Sequence, residues 1–187
     1  MPLTFIKKIR WQRLGIPITF FALCLIFTIV SDKFFTVVNL TNVARQSSIL
    51  AFMACGMTFV IISGGIDISV GSMTSLISMV TAGMMLKMNS TPFGIVMGIL
   101  CGSLVGLSNG ALVAFAGLPP FIVTLGTMTI CTGLALLYAD GMPIVGLPKG
   151  FGIIGSGYVG PIPIPVIIAF VFFLISGFLF RYTIFGR

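Results

Sequence analysis

The sequence predicts an all-α polytopic transmembrane helix bundle, on three observations. Hydrophobic residues fill 58% of the 187 positions and charged residues 7%, with a mean hydropathy of +1.22, which leaves too little polar surface to coat a water-soluble globule. The apolar residues gather into runs close to the roughly 17 to 25 residues that a helix needs to cross a bilayer. The net charge of +7 comes from ten Lys and Arg scattered between those runs, so it marks membrane flanks and no nucleic-acid surface.

In chain order the runs are Leu14 to Val30, Ser47 to Ser63, Ser69 to Leu86, Phe93 to Ala116, Phe121 to Ala139 and Pro165 to Phe180, about six crossings within a single transmembrane domain, 1–187. The first run follows a basic segment, 1–13, containing Lys7, Lys8, Arg10 and Arg13, and lacks the small-x-small cleavage pattern of a signal peptide, so it reads as a span. Between the second and third runs lies a four-residue break, Gly64-Gly65-Ile66-Asp67. Either the chain turns there at the membrane surface, or a helix is broken within the membrane and neighbouring protein satisfies its backbone. With the N-terminus cytoplasmic, six crossings place six basic residues inside and four outside (Lys33, Arg45, Lys87, Lys149). The segment 140–164, rich in Gly and Pro, then forms an external loop, expected to be irregular or re-entrant rather than helical.

The chemistry available is narrow. Asp32, Asp67 and Asp140 are the only acids and there is no His, so hydrolytic or metal chemistry is not expected, and no cofactor is expected on this chain. Cys24, Cys55, Cys101 and Cys131 each lie inside an apolar run, where a thiol acts as a small hydrophobe. The best match to a phosphate-binding loop, Gly141 to Leu147, has Leu147 where the Lys is required.

Four features could carry function. Gly94, Gly98, Gly102, Gly106 and Gly110 recur every four residues and form one slowly drifting helix face, a seam for close helix approach or for sliding during transport. Beside it, Asn109 could bond across helices or line a polar path. Asp67 reads either as the cap of a helix beginning at Ile68, after a glycine turn, or as a pivot near a path with Ser69 and Ser72. Pro119-Pro120 reads as a helix start or a functional break, and Thr124, Thr127, Thr129 and Thr132 as hydroxyls for a substrate or for their own helix backbone.

The run Gly56-Met57-Thr58-Phe59-Val60-Ile61-Ile62-Ser63-Gly64-Gly65-Ile66-Asp67-Ile68-Ser69-Val70-Gly71-Ser72 closely resembles the signature of membrane permeases of ribose-type ABC importers, which carry ribose, xylose, arabinose, galactose and related sugars. Phe34 to Leu40, Pro119 to Gly126 and Arg181 to Arg187 agree in order. The resemblance makes Gly64, Gly65, Asp67, Ser69, Gly71 and Ser72 the signature positions. It implies a bacterial inner-membrane permease that pairs with a second permease copy, binds cytoplasmic ATPase subunits and receives sugar from a periplasmic sugar-binding protein. Family members usually run to over three hundred residues with about ten spans, so this chain is expected to be a gene fragment or a short homologue. Asn109, Thr124 and Ser69 are the path candidates. Two other classes compete with transport: a non-transporting membrane fragment or assembly partner, and a passive channel.

Overall fold

The computed structural model describes residues 11–183, which divide after Ala44 into two compact units. Part of the basic segment, residues 1–10, and the end of the Arg181 to Arg187 piece lie outside the described residues. In the first unit, α1 (Trp11–Val30) carries Pro17 and ends where Phe27 stacks on Phe34 at 5.7 Å. A short turn follows, and Thr36 Oγ1 accepts from the Asn39 N–H at 3.3 Å, as the cap of an N-terminal helical turn. The next helix, α2 (Val37–Ile62), therefore starts ten residues before the apolar run that begins at Ser47, because a capped polar turn precedes the apolar stretch.

The second unit contains the rest of α2, then α3 (Val70–Met88), α4 (Thr91–Ala114), α5 (Pro120–Tyr138), a short α6 (Lys149–Ser156), a ribbon of β1 (Tyr158–Val159) and β2 (Ile162–Pro163), and α7 (Ile164–Tyr182). All six apolar runs are helical. Four of these helices, α2, α4, α5 and α7, are long and apolar enough to cross a membrane; the apolar part of α1, Gly15–Val30, is shorter. The third, α3, is not among the four. It carries Ser72, Thr74, Ser75, Ser78, Thr81 and Lys87, and it packs against both α4 and α5, so protein rather than lipid covers much of its surface. Among the described residues, the six expected crossings thus comprise four helices that are long and apolar enough by themselves, the shorter Gly15–Val30, and α3 as an inner helix.

The segment 140–164 is also more regular than its composition suggests. Its eight-residue α6 corrects the expectation of no helix, and β1 pairs antiparallel with β2 around Gly160, whose φ of +59° suits glycine.

Local chemistry explains the turns. After α3, Asn89 takes a left-handed conformation (φ 47°) and Ser90 N–H reaches back to Met85 O at 3.1 Å, a Schellman-type stop. Ser90 then caps α4 by accepting from Phe93 N–H, with Pro92 in the first turn. At the other end of α4, Gly117 (φ +67°) turns the chain and Pro119-Pro120 opens α5, so the double proline is a helix start.

Contacts give the helix directions. Gly94 lies over Thr81 and Met85, and Gly102 over Ile77, so α3 and α4 run antiparallel. Ile68 meets Thr124 and Gly83 meets Tyr138, so α3 and α5 run parallel. Phe52 pairs with Phe172 at 4.2 Å and Phe59 stacks on Phe180 at 4.0 Å, which aligns α2 with α7. The closest packing centres on Met85, Leu76, Cys131 and Ala135, between α3, α4 and α5.

Candidate functional site

The break between α2 and α3 organises the polar residues. The glycine turn comes first: Gly64 adopts φ +81°, which an L side chain rarely tolerates, and Gly65 N–H closes on Val60 O at 3.0 Å. A Cβ on Gly65 would sit 3.2 Å from Val60 Cγ1. Residues 65–69 then run without helix to α3, which begins at Val70, so Asp67 does not cap a helix starting at Ile68. Instead its Oδ1 accepts both the backbone N–H and the hydroxyl of Ser69, at 2.8 and 2.6 Å. Ser69 is itself the residue before α3 and is fully buried. The Asp67 carboxylate shapes the entry to the helix one residue removed from the expected place.

From Ser69 the bonding continues across three helices. Asn109 of α4 donates from Nδ2 to Ser69 Oγ at 3.4 Å, and Thr127 of α5 donates to Asn109 Oδ1 at 2.5 Å. The donors all point one way, from Thr127 through Asn109 and Ser69 to the Asp67 carboxylate, an arrangement in which successive bonds polarise one another. A second bridge satisfies the broken backbone: Thr124 Oγ1 accepts from Ile68 N–H at 3.4 Å, while its own proton can reach Pro120 O at 2.9 Å or Ile66 O at 3.3 Å. Neighbouring protein therefore supplies the partners that lipid could not.

This geometry describes a lock more than a binding surface. Ser69, Asn109 and Thr124 are at most 8% exposed, and their hydrogen-bonding groups are engaged with one another or with backbone. Of the signature positions, Ser72 donates to Ser69 O at 2.8 Å, and Gly71 has nothing within 4 Å of an added Cβ. Thr129 and Thr132 donate to their own helix, to Leu125 O and Met128 O. Thr127 is the residue that the sequence did not single out from its neighbours. Its signal was its place three residues after Thr124, on the same side of α5.

The glycine row of α4 divides in two. An added Cβ on Gly94 would collide with Met85 Cγ and lie 2.7 Å from Thr81 O; on Gly98 it would meet Thr81 Oγ1, and on Gly102 it would lie 2.8 Å from Ile77 Cδ1. Gly106 and Gly110 are exposed and have nothing within 4 Å. A further small residue escaped the pattern: Gly83 of α3 receives the Tyr138 ring, whose Cε1 would be 2.6 Å from a Cβ there. Between α2, α3 and α7 lies a cavity of about 280 Å³ with Asp67 and Thr74 on its wall. Among the described residues no group of three His, Cys, Asp or Glu is placed to hold a metal.

The family model described as branched-chain amino acid transport system / permease component matches residues 39–187, which include every element of this lock. The chain belongs to this permease family. Relatives include ribose import permease protein RbsC of Bacillus subtilis (strain 168), 41% identical over 94% of this chain and 55% of the relative. D-allose transport system permease protein AlsC of Escherichia coli (strain K12) is 37% identical over 95% of this chain and 55% of its own length. The galactose/methyl galactoside import permease protein MglC of the same organism is 32% identical over 78% and 48%. This permease chain thus spans about half the length of the curated relatives it matches. No solved structure matches it. Family membership and the apolar helices make it a multi-pass membrane protein of the permease family.

Proposed function

We propose that this chain forms part of the transmembrane subunit of an ABC importer that moves a monosaccharide across the bacterial inner membrane. The observation that carries the reading is the identity with permeases named for ribose, allose and galactose over 78 to 95% of the chain. ATP hydrolysis belongs to separate cytoplasmic ATPase subunits, a periplasmic sugar-binding protein delivers the sugar, and a second permease copy completes the pair. ATP-driven import requires a bundle with two arrangements favoured by different ligands. The lock between α3, α4 and α5 suits the rigid part of such a bundle.

The test is twofold. Tagged chain expressed in its source cell should co-purify with an ATPase subunit, and deletion of its gene should abolish uptake of one of labelled ribose, allose or galactose. Uptake of all three sugars unchanged, with no ATPase recovered, would defeat the proposal.

A further inference from the structure

A second cavity, of about 470 Å³, opens between α2, α3, α6 and α7. Its walls are apolar, with Ile49, Phe52, Ile154 and Ile168 each 41 to 54% exposed, so it communicates with the surroundings of the bundle. The two hydroxyls on its wall do not face a polar guest: Ser48 donates to Arg45 O at 2.7 Å and Thr74 to Val70 O at 2.8 Å. A sugar entering here would lose water and gain no donors.

At the rim stands Arg45. It lies one turn before Ser48 on α2, and its Nη2 donates to Tyr158 OH at 2.7 Å and lies 3.4 Å from the carbonyl of Ser156, next to the wall residue Gly155. The guanidinium carbon is 5.2 Å from the Tyr158 ring centroid. Its Nε is buried without a hydrogen-bond partner, and no carboxylate among the described residues pairs with it. A guanidinium that no described carboxylate offsets, at the end of an apolar slot, suits an anion, and the slot suits a hydrocarbon.

We propose that this cleft binds an anionic phospholipid, with one acyl chain between α2 and α7 and the phosphate against Arg45. The charge selects the headgroup, since each Lys or Arg near a membrane surface adds attraction for anionic lipid. A helix from a second copy is the wrong shape: at about 10–12 Å across with side chains, only about one turn would fill this volume. An acyl chain is thin enough to follow the slot.

The test uses the purified chain in detergent, mixed with phosphatidylglycerol or phosphatidylethanolamine and read by native mass spectrometry. The unaltered chain should retain phosphatidylglycerol over phosphatidylethanolamine by about fivefold. Arg45→Gln should erase the preference, Arg45→Lys should keep part of it, and Ala169→Leu, which fills the slot, should lower retention of both lipids. Circular dichroism and thermal melting identify any variant that has merely unfolded, and the Lys variant then carries the comparison. Equal retention of the two lipids by the unaltered chain would overturn the proposal. So would an undiminished preference in folded Arg45→Gln, displacement of the lipid by inorganic phosphate alone, or a lipid-free dimer.

Discussion

At the scale of single residues, the sequence Thr127, Asn109, Ser69, Asp67 makes a directional claim. Asp67 Oδ1 accepts two bonds and donates none, so an amide oxygen can replace it. Asp67→Asn should cost less than about 1.5 kcal/mol, the range of a neutral bond, whereas Asp67→Ala removes both acceptor contacts of Ser69 and should cost about 1.5 to 3 kcal/mol. Denaturant titration of the micelle-bound chain measures both, and equal losses would assign the role to the negative charge itself. The Asn109 link can be isolated by a double-mutant cycle. Asn109→Ala and Thr127→Val should couple by about 0.6 kcal/mol, the average for bonds between membrane helices, and by no more than about 1.7 kcal/mol; a coupling near zero would mean that the two side chains act separately. Both singles leave the apolar face of α5 intact.

At the scale of elements, the glycine row on α4 separates positions that one spacing makes look alike. Gly94 faces backbone, Thr81 O and Met85 N, which cannot move aside. Gly94→Ala should therefore destabilise by about 1 to 3 kcal/mol, the usual cost of overpacking, while Gly106→Leu should be tolerated by the isolated chain. Gly102 is intermediate, since its neighbour is the flexible end of Ile77. Thermal melting in detergent would rank the three; equal sensitivity of Gly94 and Gly106 would mean that another surface covers the second half of the row. The sequence contains the period of four but not which members of the row meet α3: Gly106 and Gly110 are exposed, while Asn109 beside them still reaches Ser69. The same contrast runs through the chain. The six apolar runs and the glycine break were legible, because length and composition report burial in lipid directly. The start of α2 at Val37, the helix within the loop at Lys149–Ser156 and the true place of Asp67 were not. Each depends on a hydrogen bond or capping turn that composition does not reveal. Asn109 and Thr124 stood out as polar residues in apolar runs, yet the residues they bond were visible only once α3, α4 and α5 were assembled.

At the scale of the whole molecule, the contacts of the second unit supply an order that charge counting alone leaves weak. Thr74 approaches Met53 while Asp67 and Val60 share a cavity, so α2 and α3 run in opposite directions; α3 and α4 do likewise, and α5 returns parallel to α3. With α7 parallel to α2, the Gly64–Asp67 break and the Gly117 turn share one face of the unit. The Asn89-Ser90 turn and the segment before α7 share the other. The second face has Arg45, Lys87 and the backbone of Lys149 near it, while the sequence places Arg181 and Arg187 toward the first. Long apolar helices orient by the basic residues next to their ends, and the sequence expectation is that the N-terminus, with Lys7, Lys8, Arg10 and Arg13, is cytoplasmic and that α1 and α2 both cross, which returns the end of α2 to the cytoplasmic side. We therefore expect the break and the Gly117 turn to be cytoplasmic and 140–164 periplasmic. In a variant with Cys24, Cys55, Cys101 and Cys131 replaced, a cysteine at Lys149 should react with an impermeant reagent in intact cells. A cysteine at Ala116 should react only after the inner membrane is opened. The reverse pattern would invert the unit and place the lock around Asp67 at the periplasmic end.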